Sequence, residues 1–128
     1  MKQKINELNL QLMAVHRRFL ANERAKAEKK LNKTLTPYEF FHLLTSHPDF
    51  MWLRPFSTLI ADIDAFTDEA ENITKTDALK VRSDIHFVLH DSKSKIAASI
   101  QEYLLNDPEF SMLYAKFNST LNALVENH

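Results

Sequence analysis

The stretch Ser46-His47-Pro48-Asp49-Phe50-Met51-Trp52-Leu53-Arg54-Pro55-Phe56 decides how this chain folds. It carries two of the four prolines, the only tryptophan and two of the nine phenylalanines. A proline disfavours helical geometry in the residue before it and is at home in a helix's first turn. A helix arriving at this stretch therefore ends near Ser46 or His47, turns a corner, and restarts at Pro55. A shorter copy follows 60 residues later, where Leu104, Pro108, Glu109, Phe110 and Leu113 answer Leu44, Pro48, Asp49, Phe50 and Leu53. Convergent use of one corner (cap, proline, acid, aromatic) and internal duplication both account for this echo.

Working outward, the segment before the corner opens on Thr36-Pro37-Tyr38-Glu39, where Thr36 caps, Pro37 takes the first helical position and Glu39 completes a capping box. After it, Trp52, Leu53, Phe56, Leu59, Ile60, Ile63 and Phe66 give a broad apolar face. Upstream, Ile5, Leu8, Leu12, Val15 and Phe19 recur at three- and four-residue steps, predicting a first helix from about Lys2 to Asn32. Downstream, Thr76 or Asp77 caps a third helix carrying Ala78, Val81, Ile85, Val88, Leu89, Ile96, Ile100 and Tyr103 inward, to about Leu105. Asp91-Ser92-Lys93-Ser94 is its weak point, because Ser and Asp prefer caps to helix interiors. Asp107 and Pro108 start a fourth helix that buries Phe110, Leu113, Phe117, Leu121 and Leu124 and ends near Asn127. Short connections between four amphipathic segments predict one all-α domain over residues 1–128. Its expected form is an antiparallel four-helix bundle with helix 2 broken at the proline corner.

Composition narrows the chemistry. The 128-residue chain contains no glycine and no cysteine, although glycine is usually about 7% of residues. A phosphate-cradling P-loop, a glycine-rich dinucleotide turn and a G-x-S-x-G elbow are therefore excluded, as are disulfides and thiolate catalysis. Net charge is −1, so no global basic field gathers nucleic acid. No apolar run approaches the roughly 18 residues of a membrane span, and Met1 to Glu7 lacks the pattern of a signal peptide. The expectation is a cytoplasmic protein.

Candidate sites are few. His86 and His90 are spaced i, i+4, and Glu39 with His42 forms a single Glu-x-x-His unit; these four could hold a metal if their helices meet. Boundary histidines bonded to neighbours are the simpler account, so no cofactor is assigned. His16 falls inside the apolar stripe of helix 1, as a core residue or a ligand. Phe50, Met51, Trp52, Arg54 and Phe87 are the candidate interface residues: aromatics crowd the corner, and Phe87 points away from Val81, Ile85 and Val88. The half of helix 1 from Arg17 to Lys33 is basic, which suits a helix C-terminus, with a phosphate or acidic-partner site as the alternative. The segment from Asp62 to Glu71 is acidic. In an up-down bundle these two lie at opposite poles, which permits antiparallel pairing of two copies.

Pro37-Tyr38-Glu39-Phe40-Phe41, His47 through Ser57 and Leu59-Ile60 resemble a segment of a family of small bacterial all-α proteins, with Trp52-Leu53-Arg54-Pro55 the most distinctive part. The resemblance implies a bacterial origin and a helical fold, and it carries no catalytic residues. The functional expectation is a non-enzymatic helical interaction module working as a homodimer or with a protein partner. The alternative is a metal- or small-ligand-binding bundle.

Overall fold

The computed structural model describes residues 1–126, with side chains through Leu124. Among these residues the regular structure is entirely helical: α1 (Lys2–Leu31), α2 (Pro37–Ser46), a 3₁₀ segment (Pro48–Leu53), α3 (Arg54–Glu69), α4 (Lys75–Leu89), α5 (Lys95–Asn106) and α6 (Pro108–Glu126). The all-α class holds, but the four expected helices are six, because the second and third both break. No helix is long and apolar enough to cross a membrane among the described residues. The expected end near Asn127 lies outside the described residues.

Each break has a local cause. α2 starts in the expected capping box: the Glu39 N–H donates to Thr36 Oγ1 at 3.1 Å, and the Thr36 N–H donates to Glu39 Oε1 at 3.0 Å. It stops at His47, which is extended before Pro48. An α-helix through the next residues would need an N–H at position 55 for the Met51 carbonyl, and Pro55 has none. The Arg54 N–H serves that carbonyl instead, which tightens the segment to 3₁₀. Pro108 has no second proline behind it, and α6 continues as a regular helix. The two corners therefore share a start signal and diverge after it.

Between α4 and α5, the Lys93 N–H donates to Asp91 Oδ1 at 3.0 Å and the Ser94 N–H donates to the Asp91 carbonyl at 2.8 Å. Ser94 Oγ then caps Ala97 at 3.1 Å. These short polar side chains compete successfully with the helix ladder. α4 begins at a Thr74–Asp77 capping box, so its cap is Thr74 and not Thr76 or Asp77 as expected. α1 closes on Asn32 in the left-handed region, φ 54°, a position glycine usually takes.

α1 packs most extensively on α6 and next on α3, while α4 lies against α3, α5 and α6. α1 and α3 run antiparallel: Lys2 Nζ donates to the Ala70 carbonyl (3.0 Å), Asn9 Nδ2 to the Ile60 carbonyl (3.3 Å), and the His16 and Phe56 rings meet at 4.6 Å. Ile5, Leu8, Leu12, Val15 and Phe19 are fully buried, as predicted. Phe19 sits at the centre of an aromatic cluster, 5.4 Å from Phe56, 5.4 Å from Tyr103 and 6.4 Å from Phe110. Burying a phenylalanine contributes about 1.5–3 kcal/mol, so these rings are the main tie between α1 and three other helices. A smaller cluster of Ala27, Leu35 and Phe40 holds α2 to the far end of α1.

Much of the basic half of α1 is neutralised within the chain. Arg18 Nε donates to Asp107 Oδ2 at 2.7 Å and its Nη1 reaches Glu109 at 2.8 Å, while Asn22 donates to the same Asp107 carboxylate. Lys26 pairs with Glu102 at 2.7 Å, Lys33 pairs with Glu39 at 3.1 Å, and Tyr103 donates its hydroxyl to buried Glu23. Among the described residues Arg17, Lys29 and Lys30 make no such pair.

Asp107 also accepts from the Glu109 N–H at 3.2 Å, at the start of α6. Asp107→Ala should cost about 1–2 kcal/mol in chemical unfolding through the lost cap. Asp107→Asn, which keeps an acceptor, should cost less. Equal losses would mean the cap contributes nothing.

Burial lowers the pKa of His16 from 6.5 to about 4. The unfolded chain then binds a proton that the folded one refuses, so stability from neutral His16 is complete above pH 6.5 and is lost as pH falls towards 4. Burial and neighbouring His86 push His90 in the same direction. His16→Gln should flatten the fall in Tm between about pH 7 and about pH 4.5. An unchanged slope would show that His16 does not contribute to it.

Candidate docking groove

α3 and α4 are consecutive helices with their apolar stripes turned to the same core. Phe56, Leu59 and Ile63 of α3, and Val81, Ile85 and Leu89 of α4, point inward at three- and four-residue steps. The positions beside those stripes form the seam between the helices. On α3 they are Thr58, Asp62 and Phe66, each four residues from the last. On α4 they are Asp77, Lys80, Asp84 and Phe87. Threonine and aspartate are too short to close such a seam, and a groove of about 700 Å³ runs along it.

The groove has an apolar floor of Leu59, Ile63, Val81 and Val88. Phe66 and Phe87 stand over it, 37% and 76% exposed. Its rim is acidic. Asp77 is occupied in accepting the Thr74 N–H at 3.0 Å, and Lys80 reaches both oxygens of Asp84 at 3.0 Å. Among the described residues Asp62 has no such partner. Two exposed phenylalanines over an apolar trough form a contiguous surface of the kind that marks docking sites, and charged residues confined to a rim suit a protein partner.

Of the five interface residues expected from sequence, Phe87 alone lies in this groove. Phe50 is half-buried, edge-on to Phe40 at 6.3 Å. Trp52 is half-buried against Phe19 at 6.3 Å, with Lys95 Nζ 4.9 Å from its ring centre. Arg54 donates to the Thr45 carbonyl at 2.8 Å instead of pairing with Asp49. Met51 is exposed on the 3₁₀ segment, away from the groove's lining. The corner aromatics are thus largely absorbed by packing.

Phe66 ends the apolar face expected of this segment, three residues after Ile63, and it is exposed. The buried position is Thr67, four residues after Ile63, whose hydroxyl donates back to the Ile63 carbonyl at 2.7 Å. The helix resolves the choice between i+3 and i+4 by burying threonine and leaving the phenylalanine at the seam. The four-residue stripe Thr58–Asp62–Phe66 is the signal that could have exposed this.

The candidate metal ligands separate into two places. Glu39 is held in its capping box and by Lys33, which lower its pKa to about 2, the Thr36 backbone bond contributing most. His42 is exposed on α2. His86 and His90 do meet: their Nδ1 atoms are 2.6 Å apart, and His90 Nε2 lies 2.5 Å from the Tyr114 hydroxyl. Burial raises Tyr114 to about 12, so its hydroxyl keeps its proton. The His90 tautomer sets which nitrogen donates, and Tyr114, His90 and His86 form one hydrogen-bonded chain. Among the described residues no three His, Cys, Asp or Glu side chains gather as a metal site. Comparison of the chain with protein-family models, curated proteins and solved structures gave no match in any of the three.

Proposed function

We propose that this chain is a non-enzymatic helical interaction module, and that an amphipathic helix of a protein partner docks in the α3/α4 groove. The observation that carries this is the groove itself, in which Phe66 and Phe87 overhang an apolar floor and remain exposed. Helix-in-groove recognition needs such a trough, with anchor side chains from the incoming helix filling it at i, i+3 or i+4. The groove also lies on two regular helices, so its shape is set before a partner arrives and less ordering is needed on binding. A homodimer is the simplest assembly of this type. In such an assembly the broken rods, α2 with α3 and α4 with α5, act as single bent members of a four-rod antiparallel bundle.

Phe87→Ser should change folding stability by less than about 0.5 kcal/mol, because the side chain is largely in water. Helical peptides selected from a displayed library on the wild-type protein should lose binding at least about tenfold on the Phe87→Ser variant. If the selected helices bind both folded proteins equally, the groove is not the docking surface.

A second use of the surface is favoured by the paired imidazoles of His86 and His90. The two Nδ1 atoms share a proton at 2.6 Å; once a metal ion displaces that proton and the rings move apart, the pair gives a borderline transition-metal ion such as zinc or nickel two imidazole donors. Zinc titration followed by calorimetry should show one site in the wild type that is absent from His86→Ala. Equal uptake by both proteins would remove this second use.

A further inference from the structure

We infer that the occupant of the groove is α2 of a second copy of this chain, with Tyr38 and Phe41 as its anchors. The inference rests on the groove being a docking surface, and it names the partner.

Among the described residues the exposed aromatic side chains fall in two places. One is the groove. The other is the outer face of α2, where Tyr38 is 77% and Phe41 is 62% exposed. Spaced i, i+3, these two rings share one side of the helix. The opposite side is fixed in place: Phe40, Leu43 and Leu44 pack with Ala27, Leu35 and Phe50. The two aromatics are therefore displayed on a rigid element, the form in which anchors bind with least loss of entropy. Their spacing is that of a helix laid in a groove.

The dimensions agree. α2 has 10 residues, which gives a length of about 15 Å. The α3 wall of the groove, from Pro55 to Phe66, spans about 16 Å on the same rise per residue. One short helix thus fills one groove.

The placement of the two features allows the contact to occur twice. α3 runs antiparallel to α1, with Ile60 beside Asn9 and Ala70 beside Lys2, so the groove lies towards the N-terminal end of α1. α2 packs at Ala27, near the other end. From Asn9 to Ala27 is about 27 Å along the helix. Two copies laid antiparallel bring each α2 to the other's groove, and a two-fold axis closes the pair. The contact is then made twice, which doubles the surface that one helix in one groove would bury.

Charge runs the same way. The end that carries α2 also carries Lys29 and Lys30, neither in an ion pair among the described residues. The groove end carries Asp62, in no ion pair among the described residues, followed by Asp64, Asp68, Glu69 and Glu71 along and beyond α3. Antiparallel pairing sets the cationic end of each copy against the acidic end of the other, whereas groove-on-groove pairing sets acid against acid.

Sedimentation velocity tests this with the intact chain. The wild type should form a concentration-dependent dimer that weakens as salt rises. Phe87→Ser, and separately Tyr38→Ser with Phe41→Ser, should each raise the dissociation constant at least about tenfold. Mixing the two variants should restore a heterodimer, because one intact contact remains in the mixed pair. The chain has no cysteine, so Phe41→Cys and Phe87→Cys give a second readout that does not depend on weakened binding. Mixed and oxidised, they should cross-link with each other in preference to themselves.

A monomeric wild type at the highest attainable concentration overturns the inference but leaves the groove open to another protein's helix, which the library selection decides. A dimer lost in Phe87→Ser but kept in the Tyr38/Phe41 variant also overturns it, since the groove would then hold some other segment. Cross-linking of Phe87→Cys with itself in preference to Phe41→Cys would show groove-on-groove pairing and reject α2 as the occupant.

Discussion

Proline's missing N–H and fixed φ are the constraint on which this fold depends. All four prolines sit at helix starts: Pro37 opens α2, Pro48 the 3₁₀ segment, Pro55 the first turn of α3 and Pro108 α6. In a chain with no glycine, helices cannot end on the usual left-handed glycine, and Asn32 alone takes positive φ among the described residues. Direction is changed instead by forcing the preceding residue extended. Thr36 and His47 have ψ of 159° and 127°, and Asp107 is extended too, as the steric demand of a following proline requires. Arg54 is the exception, helical before Pro55 at φ −56° and ψ −41°. There the chain passes directly from 3₁₀ into α3, with Leu53 and Phe56 buried on either side.

Much of this was legible in the sequence, and what was not has physical reasons. The buried stripe of α1, the Thr36 capping box and the proline corners follow from side-chain periodicity and from local hydrogen bonds, which a sequence displays directly. The broken third helix was visible as a weakness at Asp91–Ser94, but whether four polar residues defeat a helix depends on the competing bonds they find. Here Asp91 and Ser94 find them within the loop itself. The number of helices came out as six and not four for that reason, and because the break expected at Pro48 divides the second helix into α2 and α3.

The candidate site was much less legible. Whether an aromatic at the edge of an apolar stripe is core or surface depends on which helix faces it. Trp52 and Phe50 face α1 and α2 and are partly covered. Phe87 faces a seam walled by threonine and aspartate and is left open. Charge behaved similarly. The cations from Arg17 to Lys33 read as one patch in sequence, yet Asp107, Glu109, Glu102 and Glu39 come from later helices to neutralise three of its members, Arg18, Lys26 and Lys33, while Arg24 lies near Glu28 of α1 itself. Those pairs remove part of the field that a phosphate-binding surface would need.

The corner and the groove are also physically linked. Pro55, which fixes the start of α3, lines one end of the groove, and Asp77, whose carboxylate closes the capping box of α4, lines the other. The two walls are thus set in place by the same groups that begin their helices. Such a groove does not fill with its own side chains, because the seam positions between the phenylalanines carry short polar residues. The apolar floor therefore stays accessible for a reason rooted in the side chains that the helix register places at the seam.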